Sequence, residues 1–214
     1  PDSDAGDLYK ISVGGFDRES GPAVPAVTKL RFHPKPVESI FHDDDMSFCF
    51  IDADKNLYIY DVWRQTKVFI RNIAPLQERY GHIVGVAPFY EDFVIAFRTN
   101  GLVRLNADAA YDDEIIDRNL RIFCLRKDTE QGALWIGVDG RGAMMYAKRH
   151  TVATNLMMQR LSPNFTRQVR SIMTDSRGGL WIGTKGDGLI HVRDYAEGMN
   201  PDNTVVYSAE SRQS

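Results

Sequence analysis

Three groups of residues have the types and spacing from which chemistry can be built. Residues 52–56, Asp-Ala-Asp-Lys-Asn, alternate oxygen ligands as the start of an EF-hand calcium loop does. Such a loop turns on Gly at its sixth position and closes with a bidentate Glu at its twelfth. Here those positions hold Leu57 and Trp63, so a turn is the better reading. The sets Gly137, Gly140, Gly142 and Gly183, Gly186, Gly188 imitate a phosphate-cradling loop. A dinucleotide fingerprint, however, needs its glycines between a strand and a helix N-terminus, where amides and dipole meet the pyrophosphate. A second apolar run follows both sets, which marks them as hairpin turns. Asp43, Asp44 and Asp45 read as a solvated turn rather than a metal site. His33, His42, His82, His150 and His191 contain no pair at metal-ligand spacing. There is no Gly-x-Ser-x-Gly elbow and no Cys-His neighbour pattern. We therefore expect no metal, no cofactor and no catalytic residue, although a triad can assemble from distant positions.

The elements carrying these residues follow from an internal repeat. Residues 170–192 read RSIMTDSRGGLWIGTKGDGLIHV, and residues 122–146 read IFCLRKDTEQGALWIGVDGRGAMMY. Both run apolar strand, Asp near a Gly turn, LWIG, a Gly-x-Gly turn and another apolar run. Two degenerate copies align across the second hairpin, 93–105 with 180–192 and 39–60 with 171–192. The column containing Trp is then Cys49, Val94, Trp135 and Trp181, at spacings of 45, 41 and 46. In the last copy we expect strand A at Val169 to Thr174, B at Leu180 to Thr184, C at Leu189 to Val192, and D near Val205 to Tyr207. Asp175 and Gly178 suit the A–B turn, and Gly186 and Gly188 the B–C hairpin. Four short strands in about 45 residues is the signature of a β-propeller blade, and no helical period competes with it.

The expected architecture is thus all-β, with about four and a half four-stranded blades. Residues 1–36 supply a C–D half-blade, with strands near Leu8–Ile11 and Thr28–Phe32. Full blades are expected over 37–80, 81–120, 121–164 and 165–214. A leading half-blade with no trailing A–B half to meet it reads as a piece of a larger propeller. Its end blades would expose unpaired faces and edges. Trp135 and Trp181 read as packing between blades.

Composition narrows the function classes. The 214 residues are 43% hydrophobic, 11% aromatic and 26% charged, an ordinary globular balance that excludes disorder, collagen and coiled coil. The formal charge of −3 gives no basic field for nucleic acid. The longest apolar stretch, Ile83 to Tyr90, is far short of the about twenty residues of a membrane helix. The opening Pro1-Asp2-Ser3-Asp4 lacks the charged and apolar regions of an export signal, as expected of a mature or excised segment. Cys49 and Cys124 sit in the apolar runs FCFI and IFCL and read as buried free thiols.

The segment VRSIMTDSRGGLWIGTKGDGLIHV resembles the two-component regulator propeller repeat from strand A through strand C. The preceding LSPNFTRQ is similar to that family's lead-in. The copy at 122–146 departs by one extra residue in its A–B turn and by Val138 in place of Thr, and the two earlier copies lack the Trp. The resemblance implies a sensor propeller, of the larger, seven-bladed type, in the periplasmic part of a hybrid histidine kinase. Many such kinases respond to oligosaccharides. It also implies as partners the remaining blades, membrane-linked kinase domains and a second copy in a homodimer, with any kinase activity outside this chain.

If a ligand binds, the D–A and B–C loops emerge together and form its face. That face would gather Arg79, Tyr80, His82, Arg118, Arg121, Arg167 and Gln168, with Arg98, Asn100, Asp139, Arg141 and Lys185 from the B–C turns. Arginine pairs bidentately with carboxylate or sulfate, which suits an anionic sugar. A general protein-interaction scaffold and a streptogramin-type propeller lyase are the other classes weighed. The lyase needs a cation near the channel and a basic residue beside it, and no convincing set is visible.

Overall fold

The computed structural model describes strands at 8–12, 16–17, 21–22 and 26–30, and residues 33–44, 46–106, 113–147, 154–155, 168–195, 199 and 201–208. Strands β1 (Leu8–Ser12) and β4 (Ala26–Leu30) pair antiparallel, with a short β2–β3 ladder (Phe16–Asp17 with Gly21–Pro22) between them. Four antiparallel meanders of four strands follow. The first comprises β5 (Val37–Asp44), β6 (Ser47–Asp52), β7 (Asn56–Asp61) and β8 (Thr66–Asn72). The second comprises β9 (Ile83–Phe89), β10 (Asp92–Phe97), β11 (Gly101–Leu105) and β12 (Glu114–Asp117). In the third are β13 (Ile122–Asp128), β14 (Ala133–Val138), β15 (Gly142–Ala147) and β16 (Thr154–Asn155). In the fourth are β17 (Val169–Thr174), β18 (Leu180–Thr184), β19 (Leu189–Val192) and β20 (Thr204–Tyr207). The first strands β5, β9, β13 and β17 lie against one another, so they form the hub of a propeller.

One backbone hydrogen bond recurs in every blade and fixes the register of the repeat. The amides of Ala53, Arg98, Asp139 and Lys185, each just after the second strand, donate to the carbonyls of Pro36, His82, Arg121 and Gln168 at 2.8–3.0 Å. Cys49, Val94, Trp135 and Trp181 each lie four residues before that amide, so the sequence column is a structural column.

The core sits between the blades. Cys49, Val94 and Trp135 each face the next sheet in the chain, whose opposite face is a row of aliphatic side chains. Cys49 packs in a cluster with Ile83, Ile95, Phe97 and Val103 of the second blade. Val94 meets Ile122, Leu134, Ile136 and Val138 of the third. Trp135 meets Val169, Ile172, Ile182 and Ile190 of the fourth. The second strands β6, β10 and β14 are therefore buried on both faces, which is why their apolar residues run on instead of alternating cleanly.

Two features depart from the expected pattern. A short helix, α1 (Ala74–Tyr80), occupies the connection between the first and second blades. Pro75 starts it, Gly81 ends it at φ 87°, and Leu76 and Tyr80, four apart, turn one face into the core. One such pair is too short a window for a helical period to show in the sequence. In addition, every first strand carries a β-bulge near its start. Register shifts fall between Val37 and Ser39, at Ala96/Phe97 opposite Val84, between Ile122 and Cys124, and between Val169 and Ser171. The extra residues are Glu38, Val84, Phe123 and Arg170, at one equivalent position in the four blades.

Candidate functional site

The recurring backbone bond joins each D–A loop to a B–C turn, so these loops do share one face. The structure spreads the expected binding residues over it unevenly. Arg79, His82, Arg118, Arg121 and Arg141 are exposed. Arg79 lies over its neighbour Tyr80, with Cζ 5.2 Å from the ring centroid. Tyr80 itself is only 7% exposed and packs on Phe97, so its ring belongs to the core and only its carbonyl, accepting from Asn100 Nδ2 at 2.7 Å, serves the loop. Arg121 faces Asp139 at 3.6 Å. Gln168 accepts the Lys185 amide at its carbonyl and Arg170 Nη2 at its side chain, 2.5 Å. Arg167 lies outside the described residues.

The densest cluster on this face includes two residues not singled out from sequence. The bulge residue Phe123 has the guanidiniums of Arg98 and Arg170 over its ring, at 4.9 and 4.2 Å to the centroid. Each such contact contributes about 0.5–1 kcal/mol where water has access, and it holds the cation without using all its N–H donors. Three blades therefore converge on one aromatic ring, with Arg121 beside it in sequence. The available signal was a break in alternation: Val169 and Ile172 are both buried at a separation of three instead of two. An i, i+3 apolar pair at the start of a strand marks a bulge, and a bulge re-aims the intervening side chain.

The opposite face is built from A–B turns. Asp128, 2% exposed, accepts Gln131 N at 3.1 Å, Trp135 Nε1 at 3.2 Å and the Tyr195 hydroxyl at 2.5 Å. Asp175 repeats the motif, taking the amides of Arg177 and Gly179 at 2.9 and 2.8 Å and Trp181 Nε1 at 2.9 Å. In the first blade Asp43 takes Ser47 Oγ at 2.6 Å and Lys127 Nζ at 2.8 Å, while Arg126 reaches His42 Nδ1. A cavity of about 330 Å³ lies here, lined by His42, Asp43, Arg126, Lys127, Thr129, Thr174, Asp175 and Ser176.

Asp52, in the calcium-like segment, is fully buried and works as a turn staple. Its oxygens take the amides of Asp54 and Asn56 at 3.0 and 2.9 Å, the Asn56 side chain at 3.2 Å, and face His33 Nε2 at 3.1 Å. Burial opposes its charge, but the hydrogen bonds from Asn56, His33 and Asp54 outweigh it and hold its pKa below the usual value. Among the described residues no group of three or more His, Cys, Asp or Glu is placed to hold a metal ion. Cys49 and Cys124 are free, and desolvation pushes their thiols up to about 12 and about 11, which keeps them protonated and unreactive at neutral pH.

Asp175 gives a pH prediction. The Gly179 amide first, then the Trp181 indole and the Arg177 amide, lower its carboxyl from 3.8 to about 2. A depressed pKa contributes stability that is complete above the unfolded value and is lost as pH falls through the folded one. We expect acid titration followed by tryptophan fluorescence to show loosening of the fourth blade between about pH 4 and 2. That component should be absent in Asp175→Asn.

Four four-stranded antiparallel sheets around a common hub, not closed into a ring, define an open β-propeller. Residues 165–186, in the fourth blade, match the family model for the two component regulator propeller. Solved structures share the fold. An extracellular domain assigned to a hybrid two component system of B. thetaiotaomicron is 17% identical with a TM-score of 0.50, covering 83% of this chain and 23% of that one. A structural genomics protein of unknown function from Bacteroides thetaiotaomicron VPI-5482 is 10% identical with a TM-score of 0.54, covering 88% and 50%. YCF48 bound to D1 peptide is 11% identical with a TM-score of 0.51, covering 91% and 61%. The chain thus spans about a quarter of the length of that extracellular domain. No curated protein matches the sequence. No helix among the described residues is long and apolar enough to cross a membrane.

Proposed function

We propose that this chain is a noncatalytic sensor segment of a hybrid two-component receptor, lying outside the cytoplasm in the periplasm and contacting a carbohydrate through its D–A/B–C loop face. The observation that carries this reading is the regulator propeller repeat at 165–186. The Phe123 cluster supplies the chemistry: guanidiniums from two blades, held over one aromatic ring with N–H donors to spare, for carboxylate or sulfate. Because three blades contribute, a ligand bridging them favours one arrangement of the propeller, and that differential affinity would bias a paired kinase.

Calorimetric titration with neutral, uronate-bearing and sulfated oligosaccharides tests this. We expect the acidic oligomers to bind, and Arg98→Ala and Arg121→Ala each to weaken binding about tenfold, or 1.4 kcal/mol, with an unchanged unfolding midpoint. No binding across the series, or binding indifferent to both substitutions, would overturn it. The likeness to YCF48 bound to D1 peptide favours a second reading, a protein-interaction scaffold. It predicts capture of extended peptides at this face and no response to sugars.

A further inference from the structure

The outgoing ends of β5, β13 and β17, with the turns that follow them, surround a cavity of about 330 Å³ at the end of the hub opposite the Phe123 cluster. Its lining holds two cations, Arg126 and Lys127, and two carboxylates, Asp43 and Asp175. The formal charges cancel, but both carboxylates are already engaged. Asp43 is buried and takes Lys127 Nζ at 2.8 Å and Ser47 Oγ at 2.6 Å. Asp175 takes the amides of Arg177 and Gly179 and the Trp181 indole, and its Oδ2 also faces His191 Nε2 at 3.4 Å. Arg126 is left over: among the described residues no carboxylate pairs with it.

The Arg126 guanidinium is held from one side only. Its Nη1 reaches across from the third blade to His42 Nδ1 of the first. A guanidinium nitrogen can only donate, so Nδ1 accepts and the imidazole proton of this contact sits on Nε2. Arg126 Nε is buried and has no hydrogen-bond partner among the described residues. A buried donor left unmade carries a cost that only an acceptor recovers. Nε and Nη2 together form the edge along which a guanidinium takes a carboxylate, sulfate or phosphate through two parallel bonds. Thr129, Thr174 and Ser176 add hydroxyls to the same lining.

We propose that this pocket is an oxyanion site, in which the carboxylate, sulfate or phosphate group of a small molecule seats on the Nε–Nη2 edge of Arg126 and on the hydroxyls of Thr129, Thr174 and Ser176. A metal cation would meet two positive side chains here. A neutral hydroxyl fills one position of the edge, whereas an oxyanion fills both. The cavity exceeds a bare ion and admits the atoms that carry it. Because Nε is closed off from solvent, the anion draws the guanidinium toward the cavity and loosens its hold on His42. The site joins the first, third and fourth blades and is independent of the carbohydrate reading, whose ligand lies at the other end of the hub.

The test follows the Arg126 Nε–Hε and His42 ring signals by heteronuclear NMR while acetate, sulfate or inorganic phosphate is added, with sodium chloride at matched ionic strength as reference. We expect at least one oxyanion to move both signals saturably, and chloride to move neither. Both signals belong to this end of the hub, so binding at the Phe123 cluster does not register in them and the two readings fail separately. Arg126→Lys keeps the charge but loses the fork, and should weaken the binding seen at His42 about tenfold. Ser176→Ala, on an exposed turn, should weaken it about threefold and serves as the second variant if the lysine chain does not fold. Signals that stay still, or that follow ionic strength alike in all four salts, overturn the proposal. So does saturable binding that both substitutions leave unchanged.

Discussion

Asp128→Ala is expected to lower the unfolding free energy by about 3–5 kcal/mol. The carboxylate is 2% exposed and accepts from an amide, an indole and a phenol. Its removal strands three donors, each costing about 1–3 kcal/mol if left without a partner. It also unfastens the third blade from the fourth. Desolvation, with Asp128 next, raises the Tyr195 hydroxyl well above its ordinary range, so the phenol has no charged alternative once its acceptor is gone. Asp175→Ala provides the internal comparison, because it loses the turn amides and the indole but bridges no blades among the described residues. Urea unfolding of both variants should show the larger loss for Asp128. Equal and small effects would mean that the Tyr195–Asp128 bond does not stabilise the interface.

Gly101→Ala is the second large effect, expected at about 3 kcal/mol or more. Gly101 sits at φ 76°, and a Cβ there would lie 1.6 Å from the Asp117 carbonyl oxygen and 2.6 Å from its carbon. Both atoms are backbone of the outer strand, which must move away and give up pairing with β11. Gly140→Ala isolates this contact. Gly140 has φ 70° but nothing within 4 Å of a Cβ, so alanine there meets only the backbone penalty of about 1 kcal/mol. Thermal melts of the pair should separate clearly, and similar midpoints would show that β12 yields without cost. The same reasoning places Gly188 with Gly101, since its Cβ would meet the Tyr207 carbonyl at 2.1 Å.

The strands were legible because each copy repeats the same turn chemistry. Strands A, B and C of the last copy fall at their expected bounds, and the Cys49, Val94, Trp135, Trp181 column proves to be one position in space. Residues whose role depends on a second element were not legible. Tyr80 looked like a loop aromatic, but the four-residue spacing to Leu76 carries it into the core on a helix. Phe123 looked like an ordinary member of an apolar strand until the bulge turned it toward Arg98 and Arg170. Tyr195 lies on a C–D connection, outside the strands that define the repeat, so no column pointed to it. Asp128 and Asp175 were visible as turn residues, and only the fold shows that one of them also joins two blades.

The bulge at the head of each inner strand has a consequence for how such a protein changes over time. In the fourth blade the flanking residues Val169 and Ile172 are committed to the core, while the bulged Arg170 is exposed. The four occupants are acidic, aliphatic, aromatic and basic: Glu38, Val84, Phe123 and Arg170. Substitution of the exposed occupants, Glu38 and Arg170, alters the chemistry offered at the hub and leaves the interfaces between sheets intact, whereas Val84 packs against the core between the second and third blades. The repeats whose bulged residue is exposed thus contribute exchangeable letters to a short word written around the axis, and a new specificity can be spelled there by point mutation alone.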